Sequence, residues 1–198
     1  GFITMGRAQE LFDRAVKSYN EAIQLLKAMD QTFQEVVFKN QPDKRYDTRI
    51  TFAQFDMILQ AVLLNMAVSD GEFDRLEQQF VEKITDYGDL LTYIKQDSKG
   101  QLDLTWAQVA NLSPSTQQKL VQMLPAILDN LCDSFVKPLA LVDKAIDTVD
   151  FMRKLEGYIA EISVFLSYVD GNSDEGEENA SCEMVVRLLE KRWKQYMS

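Results

Sequence analysis

No histidine occurs among the 198 residues of this chain. That absence removes Ser-His-Asp and Cys-His nucleophilic chemistry, histidine general bases, and every zinc or iron site that needs an imidazole. Cysteine is nearly as scarce: Cys132 and Cys182 are the only two. Two thiolates without an imidazole do not close a four-ligand zinc site. The expected state of both is a reduced, buried or partly buried thiol in a reducing cytosol, so the expected location is cytoplasmic. Four prolines and eight glycines leave little punctuation. Neither G-x-G-x-x-G nor G-x-x-x-x-G-K occurs, so the phosphate-cradling loops of nucleotide enzymes are missing. Long apolar runs are missing too. The best run, Tyr158 to Val169, carries Glu161 and falls short of the ~18 residues of a membrane span. No secretory signal pattern opens the sequence. Positive charge is in deficit, with 21 Lys and Arg against 31 Asp and Glu, a net charge of −10. That balance repels nucleic-acid phosphates and anionic lipid. The expected partners are therefore proteins with basic surfaces, or cations, with no nucleic acid and no direct membrane insertion.

What is present is helical periodicity. Hydrophobic residues make up 46% of the chain, and they recur at spacings of three and four rather than two. The spacing predicts an all-α bundle of about seven to nine helices. The first is expected over Met5 to Lys39, with the stripe Phe12, Ala15, Tyr19, Ala22, Leu26, Met29, Phe33 and Val36. This stripe fits a long helix lying across a bundle, and it also fits a partner-binding coiled coil. Leu11, Val16, Ile23, Leu25 and Val37 widen it, which favours the bundle. A turn follows at residues 40–45, where Lys44 and Arg45 join Lys39 and Arg49 in the one basic cluster of this region.

Thr51 with Gln54 reads as a capping box opening a helix to Ser69, and Thr105 with Gln108 as another opening a short helix to Asn111. Between them, helices are expected from Asp74 to near Gly88 and from Leu90 to Gln96. Ser113-Pro114 reads as a further helix entry. That helix is expected to run to Lys137, bend at Pro125 and be interrupted at Pro138. Helices over Pro138–Thr148 and Asp150–Val169, and a last one starting between Asp174 and Ser181, complete the reading. Ser134-Phe135-Val136-Lys137 matches Ser-x-x-Lys, which on a helix is a one-turn coincidence.

One pattern occurs twice, 100 residues apart. Asp70-Gly71-Glu72-Phe73-Asp74-Arg75-Leu76-Glu77 and Asp170-Gly171-Asn172-Ser173-Asp174-Glu175-Gly176-Glu177 both read D-G-x-x-D-x-x-E. The preceding segments match in apolar spacing: Phe55, Ile58, Leu59, Val62 and Met66 against Leu155, Tyr158, Ile159, Ile162 and Leu166. After the motif, Phe80, Val81 and Ile84 correspond to Met184, Val185 and Leu188 once about four extra residues are allowed in the second copy. Two related helix–turn–helix units are therefore expected. The motif itself has two readings. It is a tight helix corner, with glycine ending one helix, Asp74 or Asp174 capping the next, and Glu77 or Glu177 completing the box. It is also the second half of a calcium-loop spacing. Met66, Val68, Leu166 and Tyr168 occupy the earlier ligand positions, so a complete EF-hand is excluded. The second corner adds Glu175, Glu178 and Glu183, an acidic density that repels itself unless a cation or basic partner relieves it.

At this motif the chain resembles the TerB-like tellurite-resistance family, whose members carry an acidic corner after an apolar helix, here Leu63-Leu64-Asn65-Met66-Ala67-Val68-Ser69-Asp70-Gly71-Glu72. The resemblance covers roughly Thr51 to the C-terminus. It implies a helical domain over 41–198 with two pseudo-symmetric halves, preceded by the long amphipathic helix over 1–40. It implies a bacterial, non-enzymatic stress-response module that works within larger, sometimes membrane-associated protein assemblies. It further implies an acidic cluster of Asp70, Glu72, Asp74, Glu77, Asp170, Asp174 and Glu177 that takes Ca2+ or Mg2+ weakly, with no other cofactor. Asn172 stands where an acid would be expected in the second copy, and Gly176 with the extra residues loosens that corner. The alternative function is a structural or adaptor protein that assembles through the N-terminal helix.

Overall fold

The computed structural model describes residues 5–43, 47–70, 73, 75–147, 150–169 and 175–198. Among them are eight α-helices, one π-helical segment and no strand. Helix α1 spans Met5–Thr32 and continues without a break into the π-helical segment Phe33–Phe38. Helices α2 (Thr48–Asp70) and α3 (Arg75–Lys83) follow, then the short α4 (Leu90–Asp97) and α5 (Trp106–Val109). The longest helix, α6, runs over Pro114–Ile146, and α7 (Phe151–Val169) and α8 (Glu175–Met197) close the chain.

The stripe read on the first helix faces inward as far as Phe33; in the π-helical segment beyond it Val37 is buried in place of Val36. Ala15, Tyr19, Ala22, Leu26, Met29 and Phe33 are buried in the same hydrophobic cluster as the cores of α2, α6 and α7, and Phe12 packs against it. The main partner of α1 is α7, and α6 lies against α8 on one side and α2 on another. Helix α2 is buried nearly all round: Phe55, Ile58, Leu59, Ala61, Val62, Leu63, Leu64 and Met66 are each at most 1% exposed. This corrects the reading that no run reaches membrane length and that Tyr158–Val169 comes nearest: among the described residues the stretch Thr48–Ser69 is the one long and apolar enough to cross a membrane, yet 78% of it is buried inside the fold. A helix hydrophobic all round is the expected central element of a bundle of this size.

Three local expectations meet the structure differently. Thr105 and Gln108 do form a reciprocal capping box, and Ser113 accepts from the Thr116 N–H ahead of Pro114. Thr51 and Gln54 do not. Helix α2 begins one turn earlier, where the Asp47 carboxylate accepts from the Arg49 N–H at 2.9 Å. The Thr48 hydroxyl then ties the new helix to Asp30 of α1 at 2.7 Å. An aspartate two residues before a free helical N–H is an N-cap in its own right, so Thr51 and Gln54 fall inside the helix and are buried. Pro138 does not interrupt α6 either. An interior proline costs about 3 kcal/mol. Phe135, Val136, Leu139 and Val142 around it are fully buried, and each such side chain contributes about 1.5–3 kcal/mol. Breaking the helix there would forfeit more than the proline costs.

Candidate functional site

The two acidic motifs stand at helix junctions, α2 to α3 and α7 to α8. Asp70 is the last residue of α2, and Glu177 lies in the first turn of α8. Glu77, in the first turn of α3, is buried at 2% exposure. There its charge meets the positive end of the helix dipole. Glu72, Asp74, Asp170 and Asp174 lie outside the described residues. Among the described residues, no three acidic or thiol side chains gather closely enough to hold a metal ion.

The flanks of the two motifs meet. Asn65 Nδ2, near the end of α2, donates to Ser181 Oγ, near the start of α8, at 2.9 Å. The bond joins residues 116 positions apart and sits between buried apolar neighbours. The apolar positions that match between the two preceding helices share a fate. Phe55, Ile58, Leu59, Val62 and Met66 are buried, and so are Leu155, Ile159, Ile162 and Leu166, with Tyr158 half-buried. Packing partners differ: α2 lies against α6, whereas α7 lies mainly against α1.

A second polar group fastens the segment after α3. Gln60, fully buried in α2, donates through Nε2 to the carbonyls of Ile84 (3.0 Å) and Gly88 (2.7 Å), and its Oε1 accepts from the Leu90 N–H at 2.7 Å. Asp56, one turn earlier, accepts from the Tyr19 hydroxyl at 2.5 Å and from the Tyr87 N–H at 3.2 Å. Burial pushes the Asp56 carboxyl up to about 7, against hydrogen bonds that pull it down. Burial also raises the Tyr19 phenol, and the adjacent Asp56 raises it further. Asp56 has no exposed surface, so this pair joins α1, α2 and the 84–89 connection rather than facing a substrate.

The α6–α8 contact carries a cluster of charged side chains. Arg192 grips Asp129 through one amino group at 2.7 and 2.8 Å, and the Tyr196 hydroxyl donates to Asp133 at 3.0 Å. Asp143 accepts from the Phe151 and Met152 N–H groups, capping α7, and from the Trp193 indole at 3.0 Å. Between α7 and α8 two carboxylates approach one another: Glu156 is pushed up to about 7 by burial and then by the Glu190 charge. Both cysteines are free, Cys132 buried and Cys182 half-buried. Ser134 and Lys137 lie one turn apart on α6 with no hydrogen bond between them.

Asn65 and Ser181 were not among the residues singled out from the sequence as a site. Asn65 did carry a signal, as the lone amide in the run from Ala61 to Val68. Ser181 carried none. Comparison with protein-family models, curated proteins and solved structures finds no match for this chain.

Proposed function

We propose that this chain is a non-enzymatic, TerB-like helical binding module whose two acidic helix corners act together on a divalent cation or on a basic protein surface. The observation that carries the reading is the Asn65–Ser181 hydrogen bond. At a rise of about 1.5 Å per residue, Asn65 is roughly 7 Å from the end of α2 and Ser181 roughly 9 Å from the start of α8. The helix ends that flank both motifs therefore belong to one end of the bundle. A net charge of −10 adds a favourable long-range field for a cationic partner. The stress-response role of the tellurite-resistance type, and the pseudo-symmetric layout, rest on the resemblance and on the duplicated motif. Assembly through α1 is the weaker reading, because its apolar stripe is already occupied within the chain.

Calorimetric titration with Ca2+ and Mg2+ tests the proposal. Carboxylate sites without a closed cage bind in the high micromolar to millimolar range, and all-oxygen ligands prefer these ions to soft metals. Neutralising Asp170, Asp174 and Glu177 together should abolish the heat. No heat and no thermal shift at several millimolar of either ion would leave the acidic end to a basic protein partner.

A further inference from the structure

Helix α8 carries its charge unevenly. Its first part, up to Glu183, holds Glu175, Glu177, Glu178 and Glu183 and no base. From Arg187 to Lys194 there are four bases, Arg187, Lys191, Arg192 and Lys194, against one acid, Glu190. Acids early and bases late suit the dipole of the helix itself, but that effect fades within one turn of each end. Glu183, Arg187 and Lys191 all stand more than one turn inside Glu175–Met197, so the dipole does not account for them.

These three residues are exposed and border a groove of about 420 Å³ between α6 and α8. Pro125 of α6 and Ala180, Met184 and Leu188 of α8 form its apolar lining. Met184 and Leu188 are only half-buried, so part of each is left against water. Lys191 has no ion pair with any described residue. Arg187 and Glu183 lie 3.4 Å apart but are 79% and 64% exposed. Such a surface pair is worth little, so both charges are open to another partner. The α8 lining is also complementary to itself. In an antiparallel pair about a twofold axis between Val185 and Val186, a second copy sets its Lys191 opposite Ala180, its Arg187 opposite Met184 and its Leu188 opposite Glu183. Leu188 and Lys191, three apart, share a face, so Lys191 of each copy comes beside Glu183 of the other. Apolar side chains fall at the centre and opposite charges at the flanks. A parallel pairing would set acid against acid and base against base, which costs free energy.

We propose that the α6–α8 groove docks a second copy of this chain, α8 antiparallel to α8, with Met184 and Leu188 at the centre and Glu183 of each copy paired with Lys191 of the other. The contact is isologous, so it closes at two chains. It is of the small, weak kind, and its flanking charges make it sensitive to salt. It stands whether or not cations bind at the acidic corners.

Sedimentation of the full chain from about 10 μM to about 1 mM tests this. The mean mass should climb from one chain toward two and no further, and more steeply at about 0.05 M than at about 0.5 M salt. Lys191→Glu and Glu183→Lys should each weaken association by about tenfold or more, because each variant paired with itself sets like charges together twice. Both positions are exposed, so both variants should fold. Mixed in equal amounts, the two variants should dimerise again, since every acid at these positions then faces a base. The proposal is overturned if the parent stays a monomer at the highest concentration, or if its mass passes beyond two chains. It is equally overturned if the single variants associate like the parent, or if their mixture stays monomeric.

Discussion

Two glycines in this chain should respond to the same substitution with opposite signs. A Cβ placed on Gly88 would lie 2.6 Å from the Ala53 carbonyl oxygen, 2.9 Å from its Cα and 3.0 Å from its carbonyl carbon. All three are backbone atoms of α2, so no side chain can swing aside. The 84–89 connection could retreat instead, but it is held by the Gln60 amide and the Asp56 carboxylate. Overpacking of this kind costs about 1–3 kcal/mol, and each stretched hydrogen bond adds about 1 kcal/mol. Gly88→Ala should therefore destabilise by about 2–4 kcal/mol. In a domain of this length each kcal/mol moves Tm by about 2–4 °C, so the fall should be about 5–15 °C. Ala53→Gly should not rescue it, because the contact is with backbone. Gly157 stands in the middle of α7, exposed, with nothing within 4 Å of an added Cβ. There Gly→Ala should stabilise by about 0.5–1 kcal/mol through helix propensity alone. Urea denaturation of both variants decides the matter. A Gly88→Ala chain within about 0.5 kcal/mol of the parent, or rescue by Ala53→Gly, would refute the reasoning.

Stability should fall as pH rises from about 4 to about 7. Asp56 and Glu156 are both raised to about 7 in the fold, from ordinary carboxyl values of 3.8 and 4.5. Across that window the folded chain keeps protons that the unfolded chain releases, which is the sign for loss of stability with increasing pH. Glu156→Gln should flatten the slope and leave the chain more stable at pH 8, by about 1 kcal/mol; an unchanged slope in urea melts across this range counts against the Glu156–Glu190 assignment. In the α6–α8 contact, Arg192→Leu should lower Tm clearly, since Arg192 is bound at 2.7 and 2.8 Å to Asp129 in a half-buried setting. Arg187→Leu, which removes a 3.4 Å pair between exposed side chains, should leave Tm nearly unchanged. Equal melting temperatures for the two variants would dismiss Arg192 as a staple.

Much of the helical framework can be read along the chain because its causes are local. The three-and-four spacing from Phe12 to Phe33 requires an inward stripe wherever the helix finally lies. Thr105 with Gln108, and Ser113 with Pro114, end up where their hydrogen-bonding chemistry places them, within a single turn. The errors also began as local rules. Thr51-x-x-Gln54 has the pattern of a capping box, but Asp47 offered an earlier cap and tertiary contacts drew the helix start to it. Pro138 has the chemistry of a helix breaker, but the cost of a proline is fixed while the gain from its buried neighbours depends on what packs there.

The candidate sites divide along the same line. The duplicated acidic motif and its place between helices follow from composition and spacing, properties that a linear chain carries with it. That Asn65 meets Ser181, and that Pro125 and Leu188 line one groove, depends on which helices become neighbours. Local periodicity says only that each helix has an apolar face to bury. It does not say against which other face, because any two such faces gain by leaving water and the hydrophobic effect has no direction. Only the complete packing of the bundle selects the pairs. It put α2 beside α6 and α8, and so gave the polar residues on those helices their neighbours.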